Sequence, residues 1–169
     1  MITINNVEIN TKLNEVTIGD FQKIMKINLD NSLDQIDRQI LLITVLSGGA
    51  MSVEDVEDLD IEVYQSIVKS IDLDTMSTEI KDEFICDGKV FTLDGSKDKF
   101  TFSLKKMLKI RDFIQYNVED YIANMMSLVY TLEGVNVKER KEIFTQSMTM
   151  DYVSPFLVLL NNKYGKVGK

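Results

Sequence analysis

Histidine and tryptophan are absent from this sequence, and cysteine and proline each occur once. Without an imidazole the chain cannot build a Ser-His-Asp triad, a Cys-His pair or a histidine metal site, which removes much of hydrolase chemistry. The single Cys86 excludes an intrachain disulfide and a thiolate metal cluster. It lies in FICDG beside Asp87, whose charge disfavours the thiolate. Cys86 therefore reads as a half-buried strand residue of a reducing compartment rather than a nucleophile.

Long apolar runs are missing as well. No stretch approaches the roughly 18 to 20 residues of a transmembrane helix, and MITINNVEIN lacks the basic and then apolar segments of a secretion signal. A soluble, cytoplasmic protein with no membrane partner is expected. Positive charge is in deficit: 19 Lys and Arg stand against 27 Asp and Glu, a formal charge of -8. Such a chain repels a phosphate backbone, so direct nucleic-acid binding is not expected.

Phosphate-binding loops fail on spacing. The only double glycine, Gly48-Gly49 in SGGAMS, matches neither G-x-x-x-x-G-K-[ST] nor G-x-G-x-x-G. It has no nearby lysine, and VEDVED follows it with four carboxylates. A helix C-cap and turn is the simpler reading. The acidic cluster Glu54, Asp55, Glu57, Asp58, Asp60 and Glu62 lacks the D-x-D-x-D-G spacing of a calcium loop. It reads as a solvated face that favours helix starts. No catalytic, cofactor-binding or metal-ligating residue is assigned, and no cofactor is expected.

What the sequence does contain is amphipathic pattern. Its 169 residues suffice to bury a core without external staples. Ile2, Ile4, Val7 and Ile9 surround Asn5-Asn6 as in a small hairpin. Thr17 and Asp20 form a capping pair before Ile18, Phe21, Ile24, Met25 and Ile27. Leu33 to Ser47 reads as a second helix. Ile36, Ile40, Ile43 and Leu46 share its stripe, while Leu41, Leu42 and Val45 widen the stripe nearly all round, which predicts a central, buried helix. Ser52 with Asp55 is another capping signal, followed by a short turn and a helix over residues 61–71.

A polar stretch over residues 72–83 is the best boundary between halves. Beyond it EFICDGKVFTL predicts a hairpin about Asp87-Gly88, DGSKDK a further turn, and Phe100 and Phe102 a third strand. Ser103 caps a helix with Leu104, Met107, Leu108, Ile110, Phe113 and Ile114 inward and Lys105, Lys106, Lys109 and Arg111 outward. Asn117 is expected to cap an apolar helix ending at Gly134. A charged helix, NVKERKEIFTQSM, follows. The closing helix, DYVSPFLVLLNNKY, tolerates Pro155 only in its first turn, and GKVGK reads as a frayed tail.

The two halves echo each other. Thr17 precedes Gly48 by 31 residues and Ser103 precedes Gly134 by 31. A shift of 86 places Ile18 on Leu104, Ile24 on Ile110, Ile36 on Ile122 and Ile43 on Val129. Any two helix pairs with apolar stripes align in this way, so duplication and coincidence both stay open. The expected fold class is α+β, predominantly helical: two similar hairpin-plus-helices halves, residues 1–75 and 83–165, packed into one compact body.

Two features suit protein partners. Nine methionines, among them Met76, Met107, Met125, Met126, Met148 and Met150, supply adaptable apolar surface, although most should fill the core. KKMLKIR is a basic stripe in an acidic chain, read either as a docking face or as a solvated helix face. Partner-binding candidates are accordingly Glu54, Asp55, Glu57 and Asp58 on one side and Lys105, Lys106, Lys109 and Arg111 on the other.

VTIGDFQKI, the aliphatic LLITVLSG and the acidic SVEDVEDLDIEVYQSI together resemble small assembly proteins of tailed phages, particularly tail assembly chaperones and allied head-tail or baseplate factors. The resemblance covers residues 1–75 and transfers no functional residue. It implies a non-catalytic virion assembly or structural protein of the host cytoplasm whose partners are other phage structural or assembly proteins. Incorporation into the virion and homo-oligomerisation stay open. The alternatives are an acidic inhibitor or nucleic-acid mimic that fills a basic cleft of a host enzyme, and an enzyme built on carboxylates, Lys, Tyr or a metal.

Overall fold

In a computed structural model the chain is described over residues 1–95, 100–116 and 120–164, with the side chains of 113–116 and 163–164 excepted. It is α+β and mostly helical. Strands β1 (Ile2–Ile4) and β2 (Val7–Ile9) form an antiparallel hairpin with Ile4 opposite Val7. Asn5 and Asn6 take φ of 51° and 66°, the double left-handed turn that asparagine tolerates. A 3-10 turn over Leu13–Glu15 leads into α1 (Ile18–Leu29), α2 (Gln35–Leu46), α3 (Val53–Glu57) and α4 (Ile61–Ser70).

The second half opens on β3 (Glu83–Cys86) and β4 (Lys89–Leu93), hairpinned about Asp87 and Gly88. It continues through α5 (Leu104–Tyr116), α6 (Tyr121–Val129), β5 (Tyr130–Thr131), α7 (Val137–Ser147) and α8 (Met150–Tyr164). The helix starts obey the 86-residue shift: α1 begins at 18 and α5 at 104, α2 at 35 and α6 at 121.

The caps follow side-chain chemistry. Thr17 Oγ1 accepts the Asp20 amide at 3.1 Å. Ser52 and Asp55 satisfy each other's amides at 3.1 and 2.8 Å, and Ser103 Oγ accepts the Lys106 amide at 3.3 Å. Each fills a donor that the first helical turn leaves free.

Several expectations are corrected. The third strand is Tyr130–Thr131, paired with β4 through Thr92 and Leu93. Phe100 and Phe102 are buried but belong to no strand. The apolar helix therefore stops at Val129, and Gly134 turns the chain after a strand rather than after a helix. The central helices are α6 and α8, because Ile122, Ala123, Met125, Met126, Val129, Val153, Phe156 and Leu160 are all buried. In α2 only Ile43 and Leu46 are. Pro155 lies in the second turn of α8, since that helix already begins at Met150. Its ring removes the donor that the Asp151 carbonyl would otherwise receive. Leu104 and Leu108, expected inward on α5, are exposed. The expected Asn117 cap, the side chains of Phe113 and Ile114, residues 96–99 of the DGSKDK turn, and the GKVGK tail lie outside the described residues.

An aromatic cluster fills the second half. Phe144 meets Phe84 edge-on at 5.4 Å and Phe91 at 5.0 Å, and Phe156 meets Phe100 at 5.2 Å. Met125, Met126, Met148 and Met150 are wholly buried among these elements, so they serve the core.

The halves are joined by backbone. The Ile18 amide donates to the Met148 carbonyl at 2.9 Å, and the Met150 amide to Val16 at 2.8 Å. The polar connection after α4 is pinned at both ends. The Asp72 amide donates to Thr11 at 2.7 Å, and Tyr130 Oη donates to the Lys81 carbonyl at 2.6 Å. Among the described residues no helix is long and apolar enough to cross a membrane.

Candidate protein-docking site

Burial on α2 is uneven, and its wet end creates an apolar cleft. Ile43 and Leu46 reach the core, while Ile36, the second residue of the helix, is 61% exposed. Opposite it, α3 is too short to cover the gap, and Ile61 at the first position of α4 is 62% exposed. The space between is a cleft of about 210 Å³ lined by Ile36, Ile40, Val56, Leu59, Ile61 and Tyr64, with Glu57 at its edge. Tyr64 ties its two walls together, because its hydroxyl donates to Gln39 Oε1 of α2 at 2.8 Å. Burial, and then the charge of Asp34, hold that phenol above its usual pKa, so it stays a neutral donor.

Among the acidic candidates Glu57 lines the cleft, and the others stand on or just after α3 with divided duties. Glu54, Asp55, Glu57 and Asp58 are all exposed on or just after α3. Asp55 is occupied by Ser52, whose hydroxyl and amide keep its carboxyl below the ordinary aspartate range. Asp60 caps α4 by accepting the Glu62 amide at 2.8 Å. Glu54, Glu57, Asp58 and Glu62 remain exposed, a run of negative charge on α3 and the start of α4 beside the apolar floor.

The basic candidates sit elsewhere. Lys106 Nζ is bound to Asp94 at 2.6 Å, and Arg111 to Asp112 at 3.0 Å. Lys105 and Lys109 are exposed and pair with no carboxylate among the described residues. No ion pair or hydrogen bond joins the acidic and basic sets among these residues. They are two separate surfaces.

The glycine pair grips no anion. Ser47 ends α2, the Gly48 amide donates back to Val45 at 2.9 Å and the Gly49 amide to Thr44 at 3.1 Å. This is the crossed bonding of a Schellman stop, which uses both amides internally. Cys86 is half-buried at the end of β3, as expected.

A second, more polar cavity of about 330 Å³ lies between the halves, against Lys12, Asp72, Thr75 and Asp151. Its carboxylates are already engaged, Asp72 by Thr75 Oγ1 at 2.8 Å and Asp151 by Lys81.

From the sequence, Ile36 and Ile40 read as members of the inward stripe of α2, and Ile61 only as the start of the next helix. The available signal was the width of the α2 stripe, which offers more apolar surface than one buried face can hide. Among known proteins, no family model, no curated protein and no solved structure matches this chain.

Proposed function

We propose that the protein is a non-catalytic assembly protein that works by binding another protein, and that the cleft between α2 and α4 is where it binds. One observation carries this reading: an open apolar floor of Ile36, Ile40, Ile61 and Tyr64 with Glu57 at its edge, beside exposed carboxylates of α3 and the start of α4 that no ion pair neutralises among the described residues. Apolar surface left in water at a helix junction is costly unless a partner covers it. The acidic edge selects a segment with apolar residues in its centre and Lys or Arg at its margin. An amphipathic helix has that shape and enters grooves of this kind. The resemblance of the first half to phage tail assembly chaperones makes virion assembly the setting.

The test is co-expression with the structural proteins of a tailed phage, followed by affinity capture of wild-type protein and of Ile36→Asp. The expected result is a defined structural protein bound to wild type and lost from the variant. Equal capture by both, with the variant folded, removes the cleft from the account.

A further inference from the structure

The exposed side of α5 is a near-complement of the cleft. Leu104 is 76% exposed and Leu108 41%, one helical turn apart on the same face. Lys105 and Lys109, each one residue further on, border that pair along one side and are unpaired among the described residues. Arg111 extends the basic margin, although it already contacts Asp112. Two leucines edged by ammonium groups thus stand on one surface. Three isoleucines and a tyrosine with Glu57 at their edge, beside the exposed Glu54, Asp58 and Glu62 of α3 and α4, stand on another. Neither is covered among the described residues.

We propose that the occupant of the cleft is α5 of a second copy of this chain, giving a head-to-tail self-association. The inference rests on the docking role proposed above and names the partner. Leu104 and Leu108 lie along the α2–α4 floor, and Lys105 and Lys109 meet the carboxylates beside it. The patches differ, so the contact is heterologous: each copy donates α5 to one neighbour and its cleft to another. Copies joined in this way close into a ring when the rotation between patches allows and otherwise extend as a filament.

Sedimentation of the full-length protein over a wide concentration range tests this, using wild type, Ile36→Asp and Leu108→Asp. Wild type is expected to associate with concentration, and roughly tenfold more weakly at high than at low salt because the pairing charges are exposed. Each variant alone is expected to be monomeric, with unchanged circular dichroism. An equimolar mixture of the two is expected to form a 1:1 dimer, since one retains α5 and the other the cleft. Lys105→Glu with Lys109→Glu supplies a second α5 variant, with the same expected loss.

A wild type that stays monomeric throughout, an oligomer indifferent to these substitutions, or a variant mixture that stays monomeric each overturns the proposal. The docking role is separable. If wild type is monomeric yet Ile36→Asp alone abolishes capture of a structural protein, self-association fails and the cleft keeps its role. If Leu108→Asp dissociates the oligomer while Ile36→Asp leaves capture intact, self-association through α5 stands, and the docking role of the cleft toward other proteins fails.

Discussion

Gly19 in the first turn of α1 lies against Thr145 near the end of α7: a β-carbon on Gly19 would stand 2.9 Å from the Thr145 carbonyl oxygen and 3.3 Å from its Cγ2. This approach lets the two halves close, because on either side of it the Ile18 amide reaches the Met148 carbonyl and Met150 reaches Val16. The oxygen belongs to backbone held in a helix and cannot swing aside.

Gly19→Ala is therefore expected to destabilise the fold by about 1 to 3 kcal/mol, the usual cost of overpacking. That is despite the better helix propensity of alanine. Chemical denaturation of wild type and variant measures it, and equal midpoints would show that the halves yield freely at this contact.

Gly48 and Gly49 call for the opposite kind of argument. Both take left-handed φ, 65° and 79°, yet a β-carbon at either position meets nothing within 4 Å. The cost of alanine there is conformational rather than steric, about 1 kcal/mol each. In a chain of this length that lowers Tm by roughly 2 to 4 °C per substitution. Thermal unfolding of Gly48→Ala and Gly49→Ala checks this, with partner capture by folded protein expected to be unchanged. An unaltered Tm would mean that the Schellman stop contributes nothing.

Acid should loosen the caps. Hydroxyl hydrogen bonds from Ser52 to Asp55, and from Thr75 to Asp72, hold both carboxyls below their usual pKa. A folded pKa below the unfolded one contributes stability that is present above the unfolded value, near 4, and is lost as pH falls through the folded value. Tm is expected to hold near neutrality and to drop below about pH 4. The Tm gap between wild type and Ser52→Ala should narrow over the same range, because protonated Asp55 no longer benefits from Ser52. A gap that is constant with pH would contradict this origin.

Local chemistry was the most legible part of the fold. Asn5-Asn6 and Asp87-Gly88 announced their hairpins, and Thr17, Ser52 and Ser103 their helix starts, because each acts within a few residues of itself. Long-range competition was not legible. Tyr130 and Thr131 continue an apolar helical pattern, yet Leu93 and Thr92 of β4 claim them as strand. The breadth of the α2 stripe suggested centrality, but a wide stripe serves equally to bury one face and leave another open. The acidic residues of the proposed docking site were recognisable as a cluster. The apolar floor beside them was hidden, since Ile36 and Ile61 join only when α2 and α4 pack together.

Hydrogen exchange on the protein, alone and in complex with the structural protein captured by co-expression, tests the central claim most directly. The account predicts slowed exchange over residues 35–64 and little change over β3 to β5 and α6. Protection confined to other elements, with α2 to α4 exchanging as in the free protein, would contradict it.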